Sequence, residues 1–191
     1  MKRIYQLTRE RGIKVHVDGT RLWNAAVASG VPLKEYGKYA DSISLCFSKG
    51  LGAPAGSILV GSSPFIERAR RARKIFGGGM RQAGILGAAA LYAIENHYGL
   101  LSRDHKHAGI LAEAVSALDG ITVDLEATQT NIVIMYLTDT SRNAQDIADE
   151  LKEKGVLVLA LGERMLRAVT HLEVSDTDID YAVKAFGETV R

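Results

Sequence analysis

The sequence of 191 residues predicts an α/β fold made of two parts. Its composition, with 47% hydrophobic and 24% charged residues, is typical of a globular chain. Residues 13–17 and 42–47 alternate as strands do, and an alanine-rich helical segment at residues 22–29 lies between them. This order predicts a βαβ unit, with two parallel strands and a right-handed crossover. From about residue 101 onward, helices and short strands predict a second, compact α/β unit.

The first hundred residues begin with an amphipathic pattern that carries Ile4 and Leu7 on one face, which predicts a short helix ended by Gly12. Ser63 and Pro64 predict a later helix start, with serine as N-cap and proline at the first position. The predicted helices of this part are residues 2–11, 22–29, 63–76 and 81–98, and the predicted strands are 13–17, 42–47 and 56–61.

These three strands are too few for a doubly wound sheet, because such a sheet must cover helices on both of its faces. We therefore expect the sheet to be completed either by another chain or by sequence that belongs before Met1.

The second part is predicted to alternate between helices and short strands. Ser175 followed three residues later by Asp178 approximates a capping box and predicts the start of a last helix near the C-terminus. The other predicted elements are helices at residues 102–118 and 144–154 and strands at 121–123, 131–137, 156–160 and 165–169.

Charge and cysteine content narrow the function classes. The formal net charge is +2, from 24 basic and 22 acidic residues, which does not favour nucleic acid or a membrane surface as partner. Cys46 is the single cysteine, so an internal disulfide is excluded and a reducing compartment is expected. The N-terminus lacks the apolar core of a secretory signal, and the most apolar stretch, residues 83–94, is too short to cross a bilayer. We expect a cytoplasmic protein.

Asp18 and Lys49 form the most informative pair of side chains. Asp18 ends the first predicted strand, and Lys49 follows the end of the second. Parallel strands emerge at the same edge of a sheet, where α/β proteins bind their ligands. Pyridoxal 5′-phosphate requires a lysine amine for its Schiff base and a carboxylate that keeps its pyridine nitrogen protonated. On spacing alone, an aspartate in a turn and a surface lysine in a glycine-rich loop explain the pair better.

Four segments resemble motifs of the low-specificity threonine aldolases, in the same order along the chain. They are residues 16–25 (HVDGTRLWNA), 48–57 (SKGLGAPAGS), 77–84 (GGGMRQAG) and 167–171 (RAVTH). The resemblance implies the fold of aspartate aminotransferase, which is fold type I of the pyridoxal-phosphate enzymes. Residues 1–100 would then be the remainder of the cofactor-binding large domain, and residues 101–191 the small C-terminal α/β domain.

The same resemblance implies an activity, a cofactor and an assembly. The activity is aldol cleavage of threonine, allo-threonine and other β-hydroxy-α-amino acids to glycine and an aldehyde, with pyridoxal 5′-phosphate as cofactor. The full-length form would be a homo-oligomer, a dimer of dimers. The family's N-terminal half, which carries the phosphate-binding turn and two active-site histidines, has no counterpart here. Two alternatives stay open: a related lyase that works by β-elimination, and a catalytically inactive truncated subunit.

The resemblance also assigns roles to individual residues. Lys49 would be the Schiff-base lysine, and Asp18 would pair with the pyridine nitrogen. Arg21 would lie beside the cofactor's phenolic oxygen and the substrate carboxylate, and Arg167 would hold that carboxylate with its planar fork of donors. Ser48 would either hydrogen-bond the cofactor phosphate or cap a turn. Solvated surface charges are the alternative for both arginines.

Lys74 and Arg81 flank the triple glycine at residues 77–79, whose backbone can approach an anion closely. Either residue could reach a phosphate, including that of a neighbouring subunit, and Arg81 could also contact the substrate. A solvated basic helix face explains Lys74 equally well, and it also explains Arg68, Arg70, Arg71 and Arg73.

The remaining reactive side chains are expected to be structural. Cys46 alternates within a strand and is predicted to be a small buried residue. His97, His105 and His107 lack metal-ligand partners at useful spacing, and solvated helix positions explain them, so no metal site is predicted.

Overall fold

The computed structural model describes residues 1–190 and divides into two compact units, Met1–Gly99 and Leu100–Arg191. The first unit contains a three-stranded sheet in the order β1-β2-β3. Its strands are β1 (His16–Gly19), β2 (Ser42–Cys46) and β3 (Ser57–Gly61). β1 and β2 are parallel, which confirms the predicted parallel pair, whereas β3 runs antiparallel to β2.

Five helices accompany this sheet. They are α1 (Lys2–Glu10), α2 (Leu22–Ser29), α3 (Leu33–Gly37), α4 (Ser63–Ile75) and α5 (Gly84–His97), with a short 3₁₀ turn at Tyr98–Leu100. α2 has the predicted bounds, because Gly30 ends it in the left-handed conformation with φ 68°.

Three details of the predicted helices were wrong. α3 was not predicted, since its five residues are too few to show a periodic pattern. The N-cap of α4 is Ser62 rather than Ser63, and its side chain makes no capping hydrogen bond. α5 begins at Gly84 instead of residue 81, because Gln82 adopts a φ of 51°, outside the helical region.

The apolar core of the first unit is small and lies around β2. Leu22, Ile43 and Leu45 are buried there, and Trp23 packs against them. By contrast, α1 and α4 contain no buried residue. The predicted apolar face of α1 is therefore present in the helix but exposed, with Ile4 62% and Leu7 43% accessible.

The second unit is a four-stranded antiparallel sheet packed against helices. The strands, β4 (Ile121–Val123), β5 (Ile132–Leu137), β6 (Leu159–Ala160) and β7 (Met165–Val169), are in the order β4-β5-β7-β6. The helices are α6 (Leu101–Ser116), α7 (Ala144–Glu153) and α8 (Asp176–Thr189). Alternate residues of the central strands, such as Val133 and Leu166, point into a core that they share with Leu151 and Phe186.

Two predictions for this unit had different outcomes. The capping box is confirmed, because the Ser175 side chain accepts from the Asp178 backbone and the Asp178 side chain accepts from the Ser175 backbone. The strand predicted at residues 156–160 is shorter, since only Leu159 and Ala160 pair with β7. Within residues 1–190, no helix combines the length and apolarity that crossing a membrane requires.

Candidate active site

Asp18 and Lys49 lie at the same edge of the first unit's sheet. Asp18 is paired in register with Ser44 of β2, close to the carboxyl end of β1. Lys49 follows β2 in an exposed loop, where the Gly52 N–H donates to its carbonyl oxygen at 2.8 Å. The charge of Lys49 contributes to lowering the pKa of Asp18, so the two side chains share one electrostatic environment.

Thr20 makes the two hydrogen bonds that favour the ionised form of Asp18. Its hydroxyl and its backbone N–H both donate to Asp18 Oδ1, the latter at 3.2 Å. These two hydrogen bonds, followed by the charges of Lys49 and His16, keep the pKa of Asp18 below its usual value. Thr20 was not among the predicted site residues, although an aspartate followed two residues later by a hydroxyl residue is typical of a local side-chain turn.

Gly19 allows the two parallel strands to approach closely beside Asp18. A Cβ at this position would lie 2.7 Å from the Ser44 carbonyl oxygen and 3.0 Å from Ile43 Cγ2. Trp23, the second residue of α2, donates from Nε1 to the Cys46 carbonyl oxygen at 3.1 Å. Glycine and tryptophan therefore fix the ends of β1 and β2, from which Asp18 and the Lys49 loop project.

Arg21 immediately precedes α2 and is half-buried. Its Nε atom is inaccessible and has no hydrogen-bond partner among the described residues. A buried donor without an acceptor is costly, and such donors are uncommon in folded proteins. Arg21 Nε can therefore donate a hydrogen bond to a bound anion or oxygen atom without losing an internal hydrogen bond.

Ser48 is exposed next to Lys49, and its Oγ lies 3.2 Å from the Sγ of Cys46. The prediction that Cys46 is buried was wrong, because this last residue of β2 is partly accessible at the sheet edge. Ser48 Oγ is thus available at the same edge as Asp18, either as a donor to a ligand or as a partner of the thiol.

Arg167 lies in the second unit, on β7, paired with Ile134 of β5 and Leu159 of β6. Its side chain points to the face of the sheet opposite the buried Leu166 and Ala168. Like Arg21, it has an inaccessible Nε without a hydrogen-bond partner in residues 1–190. The two arginines predicted to bind a carboxylate thus share this feature.

Lys74 and Arg81 are both exposed on either side of the triple glycine. Lys74 Nζ lies against Gly79, 3.1 Å from where a Cβ of that glycine would be. Neither residue contributes to the charge environment of Asp18, which comes from Lys49 and His16. Their predicted contact with a phosphate stays a prediction.

The expectation of solvated histidines was wrong for His107. This residue of α6 is fully buried, and its Nε2 lies 2.7 Å from Asp176 Oδ1 in the first turn of α8. A lone histidine on a helix gives no local sign of a partner 69 residues away. Among the described residues, no group of three or more His, Cys, Asp or Glu side chains is arranged to hold a metal ion.

The family model described as beta-eliminating lyase matches residues 1–140. The chain belongs to the beta-eliminating lyase family. It is 41% identical over 190 residues to low-specificity L-threonine aldolase 1 of Arabidopsis thaliana, covering 99% of this chain and 53% of that protein. It is 43% identical over 175 residues to the low specificity L-threonine aldolase of Escherichia coli K12, covering 92% and 50%. The chain therefore spans about half the length of the curated relatives it matches. This agrees with the prediction that it corresponds to the C-terminal portion of a threonine aldolase.

Solved structures confirm the fold of this beta-eliminating lyase family member. A structure from Exiguobacterium sp. 255-15, provisionally described as an aromatic amino acid beta-eliminating lyase/threonine aldolase, matches with a TM-score of 0.81 at 23% identity, over 98% of this chain and 56% of that one. The threonine aldolase of Leishmania major matches with a TM-score of 0.74 at 19% identity, over 98% and 55%. An alanine–glyoxylate aminotransferase from Nostoc sp. also matches, with a TM-score of 0.69 over 98% and 56%. These neighbours are fold type I pyridoxal-phosphate enzymes, as predicted.

The residues of the first unit fit the cofactor that members of this family use. A pyridinium nitrogen needs an ionised carboxylate, and the hydrogen bonds from Thr20 lower the pKa of Asp18 and so favour that form. A phenolate oxygen needs a donor, and Arg21 Nε is buried with no acceptor in the described part of the chain. Lys49 presents an exposed amine at the same edge.

Proposed function

We propose that this chain carries the lysine-bearing part of a pyridoxal-phosphate-dependent lyase. Its substrates would be threonine, allo-threonine and other β-hydroxy-α-amino acids, and its products glycine and an aldehyde. The observation that carries the proposal is the placement of Asp18 and Lys49 at the ends of neighbouring parallel strands. The sequence identity of 41% to 43% to threonine aldolases supports the choice of substrate class.

The proposed mechanism assigns each residue a task. Pyridoxal phosphate, when bound, supplies the electron sink that makes cleavage beside the substrate's amine feasible. Lys49 would hold the cofactor through its amine. Asp18, whose pKa is lowered by the hydrogen bonds from Thr20, would hold a proton on the pyridine nitrogen. Ser48 would donate a hydrogen bond to the cofactor's phosphate.

Arg21 and Arg167 are proposed to bind the substrate carboxylate. Both carry a buried Nε without an internal partner, which favours their pairing with an incoming oxygen. A guanidinium can hold a carboxylate through two parallel hydrogen bonds and so fix its orientation. Fixing the carboxylate aligns the bond to be broken, which is where binding energy contributes to rate. Lys74 and Arg81 are proposed as further anion contacts, to phosphate or to substrate, including in a neighbouring subunit.

The first test measures covalent cofactor binding by the full 191-residue chain. We expect incubation with pyridoxal phosphate, followed by borohydride reduction and peptide mapping, to give a pyridoxyl adduct on Lys49. Lys49→Ala should abolish this adduct, whereas Lys34→Ala, at an exposed lysine of α3, should leave it unchanged. An unlabelled Lys49 would overturn the proposal for this chain and support an inactive subunit instead.

The second test identifies the reaction. Aldol cleavage of threonine should give glycine and acetaldehyde in equal amounts. The family description names β-elimination, which is the second candidate reaction, and that reaction would consume the amino acid without forming glycine. Measuring both products on the same sample separates the two lyases.

We also propose that the full-length form is a homo-oligomer, a dimer of dimers. The side chains of Ile75, Phe76, Met80 and Ile85 support this, because they are 66% to 88% exposed on either side of the triple glycine. Exposed apolar side chains that lie close together are typical of protein contacts. Light scattering of the full-length form should give about four times the mass of one full-length chain, and Phe76→Ser should reduce this mass. A full-length form that is monomeric at micromolar concentration would contradict the proposal.

A further inference from the structure

The loop that carries Lys49 contains two glycines and is closed by its own hydrogen bonds, from Gly52 N–H to the Lys49 carbonyl oxygen and from Ala53 N–H to the Phe47 carbonyl oxygen. Lys49 is followed by Gly50 and, after Leu51, by Gly52, which adopts a φ of 68°. Glycine restricts the chain less than other residues, so local sequence alone does not fix where the Lys49 amine lies. A contact from elsewhere in the unit can therefore restrain the loop in addition to its own hydrogen bonds.

His97 supplies such a contact. It is the last residue of α5, and its Nδ1 lies 2.7 Å from the carbonyl oxygen of Leu51, 46 residues earlier in the chain. A carbonyl oxygen can only accept, so Nδ1 carries the proton and donates it. Leu51 is completely buried, which means that the hydrogen bond ends on a fixed point of the loop, two residues after Lys49.

The residues around His97 restrain both the imidazole and the strand that leads to the loop. The imidazole and the Tyr92 ring pack at nearly right angles, with ring centroids 5.5 Å apart. The next residue, Tyr98, packs against Trp23 at 6.0 Å, and the Trp23 indole donates to the Cys46 carbonyl oxygen at the end of β2. The end of α5 thus contacts the Lys49 loop through His97 and, through Trp23, the strand before it.

We propose that His97 is a positioning residue for Lys49. It would act through its hydrogen bond to Leu51, which limits the motion of the Lys49 loop and so fixes where the amine lies relative to Asp18. The role rests on the proposed function of Lys49 as the cofactor lysine, but the restraint on the loop can be measured without any cofactor.

The experiment compares variants of His97 in the full chain by amide hydrogen exchange at residues 50–53. His97→Asn places an amide donor near the position of Nδ1, whereas His97→Gln places it near Nε2, so the two differ in donor position. We expect His97→Gln and His97→Ala to raise exchange in this loop about 2- to 10-fold, which is the range for losing one hydrogen bond. His97→Asn should stay near the unsubstituted chain. Glu95→Ala, at an exposed position of the same helix, is the matched control.

A second measurement follows Lys49 itself. The rate at which pyridoxal phosphate becomes fixed to Lys49, trapped with borohydride, should fall in His97→Gln and be retained in His97→Asn. Equal hydrogen exchange of the loop in His97→Gln and His97→Asn would overturn the inference. This comparison remains decisive if His97→Ala fails to fold. If the unsubstituted chain forms no adduct, the proposed function fails, while the exchange comparison still decides whether His97 restrains the loop.

Discussion

Gly19 packs closely against the neighbouring parallel strand, and replacing it with alanine should destabilise the first unit. The new Cβ would stand 2.7 Å from the Ser44 carbonyl oxygen, 3.0 Å from Ile43 Cγ2 and 3.2 Å from Leu22 Cβ. Carbon–oxygen contacts between strands are normally at least about 3.3 Å, so the strands must separate by roughly 0.6 Å. The nearest atom belongs to the backbone of a paired strand, and it cannot move aside as the end of a side chain could.

Crowding of this kind in a packed region costs about 1–3 kcal/mol in the free energy of unfolding. With a urea m-value of about 2 kcal/mol/M, the midpoint of unfolding should fall by about 1 M. Trp23 is the single tryptophan and packs against Phe47 in the same unit, so its fluorescence reports on the unit that carries Gly19.

Gly87→Ala is the matched control for Gly19→Ala. Gly87 lies in α5, and an added Cβ there would meet no heavy atom within 4 Å. Alanine is the better helix former, so this variant should be more stable by about 0.5–1 kcal/mol. Gly19→Ala could instead leave the midpoint of unfolding unchanged, or raise it as Gly87→Ala should. Either result would refute the claim that the close contact between β1 and β2 requires glycine at position 19.

Three further predictions concern hydrogen bonds of single side chains. Ser175→Ala removes the capping box of α8 and should lower the free energy of unfolding by about 1 kcal/mol, measured by circular dichroism in urea. Asp176→Ala removes the partner of the buried His107 and should lower the urea midpoint at neutral pH. The His107 hydrogen bond keeps the pKa of Asp176 below 3.8, so its stabilisation is present above pH 3.8 and is lost as the pH falls through the lowered value. Thr20→Val removes one donor and should raise the pKa of Asp18, measured by carbon NMR of the carboxyl group.

Each of these three substitutions has its own control variant. Ser175→Asp keeps a capping oxygen and should retain stability, and an equal loss in both variants would point to a different cause. Asp176→Asn keeps an acceptor for His107 and should lose only the pH dependence; if it matches Asp176→Ala, the charge rather than the hydrogen bond matters. Thr20→Ser keeps the hydroxyl and should leave the Asp18 titration where it is, so a shift as large as that of Thr20→Val would exclude the hydroxyl as its cause.

The predicted elements that agree with the structure are those encoded by neighbouring residues. The bounds of α2 follow from an alanine-rich stretch ended by Gly30, and the capping box of α8 needs only Ser175 and Asp178. The parallel pairing of β1 and β2 follows from the length of the helical connection between them. That pairing is enough to bring Asp18 and Lys49 to one edge, so this part of the candidate site could be derived from the sequence.

The features that the sequence analysis missed depend on contacts between distant residues. His107 was expected to be solvated, but it is buried and its partner is Asp176 of α8, 69 residues away. His97 belongs to the same group, since its partner Leu51 lies 46 residues away. A helical histidine looks the same in the sequence whether its imidazole faces water or a carbonyl oxygen.

The sequence by itself determined the α/β class, the position of most helices and strands, and the edge at which Asp18 and Lys49 meet. Local backbone preferences and hydrophobic periodicity act over a few residues, and connection length constrains strand direction. The tertiary structure decided that β3 is antiparallel, that Gly19 must be small, and that His97 holds the loop of Lys49. Those features depend on which surfaces pack together, and packing is a property of the folded chain as a whole.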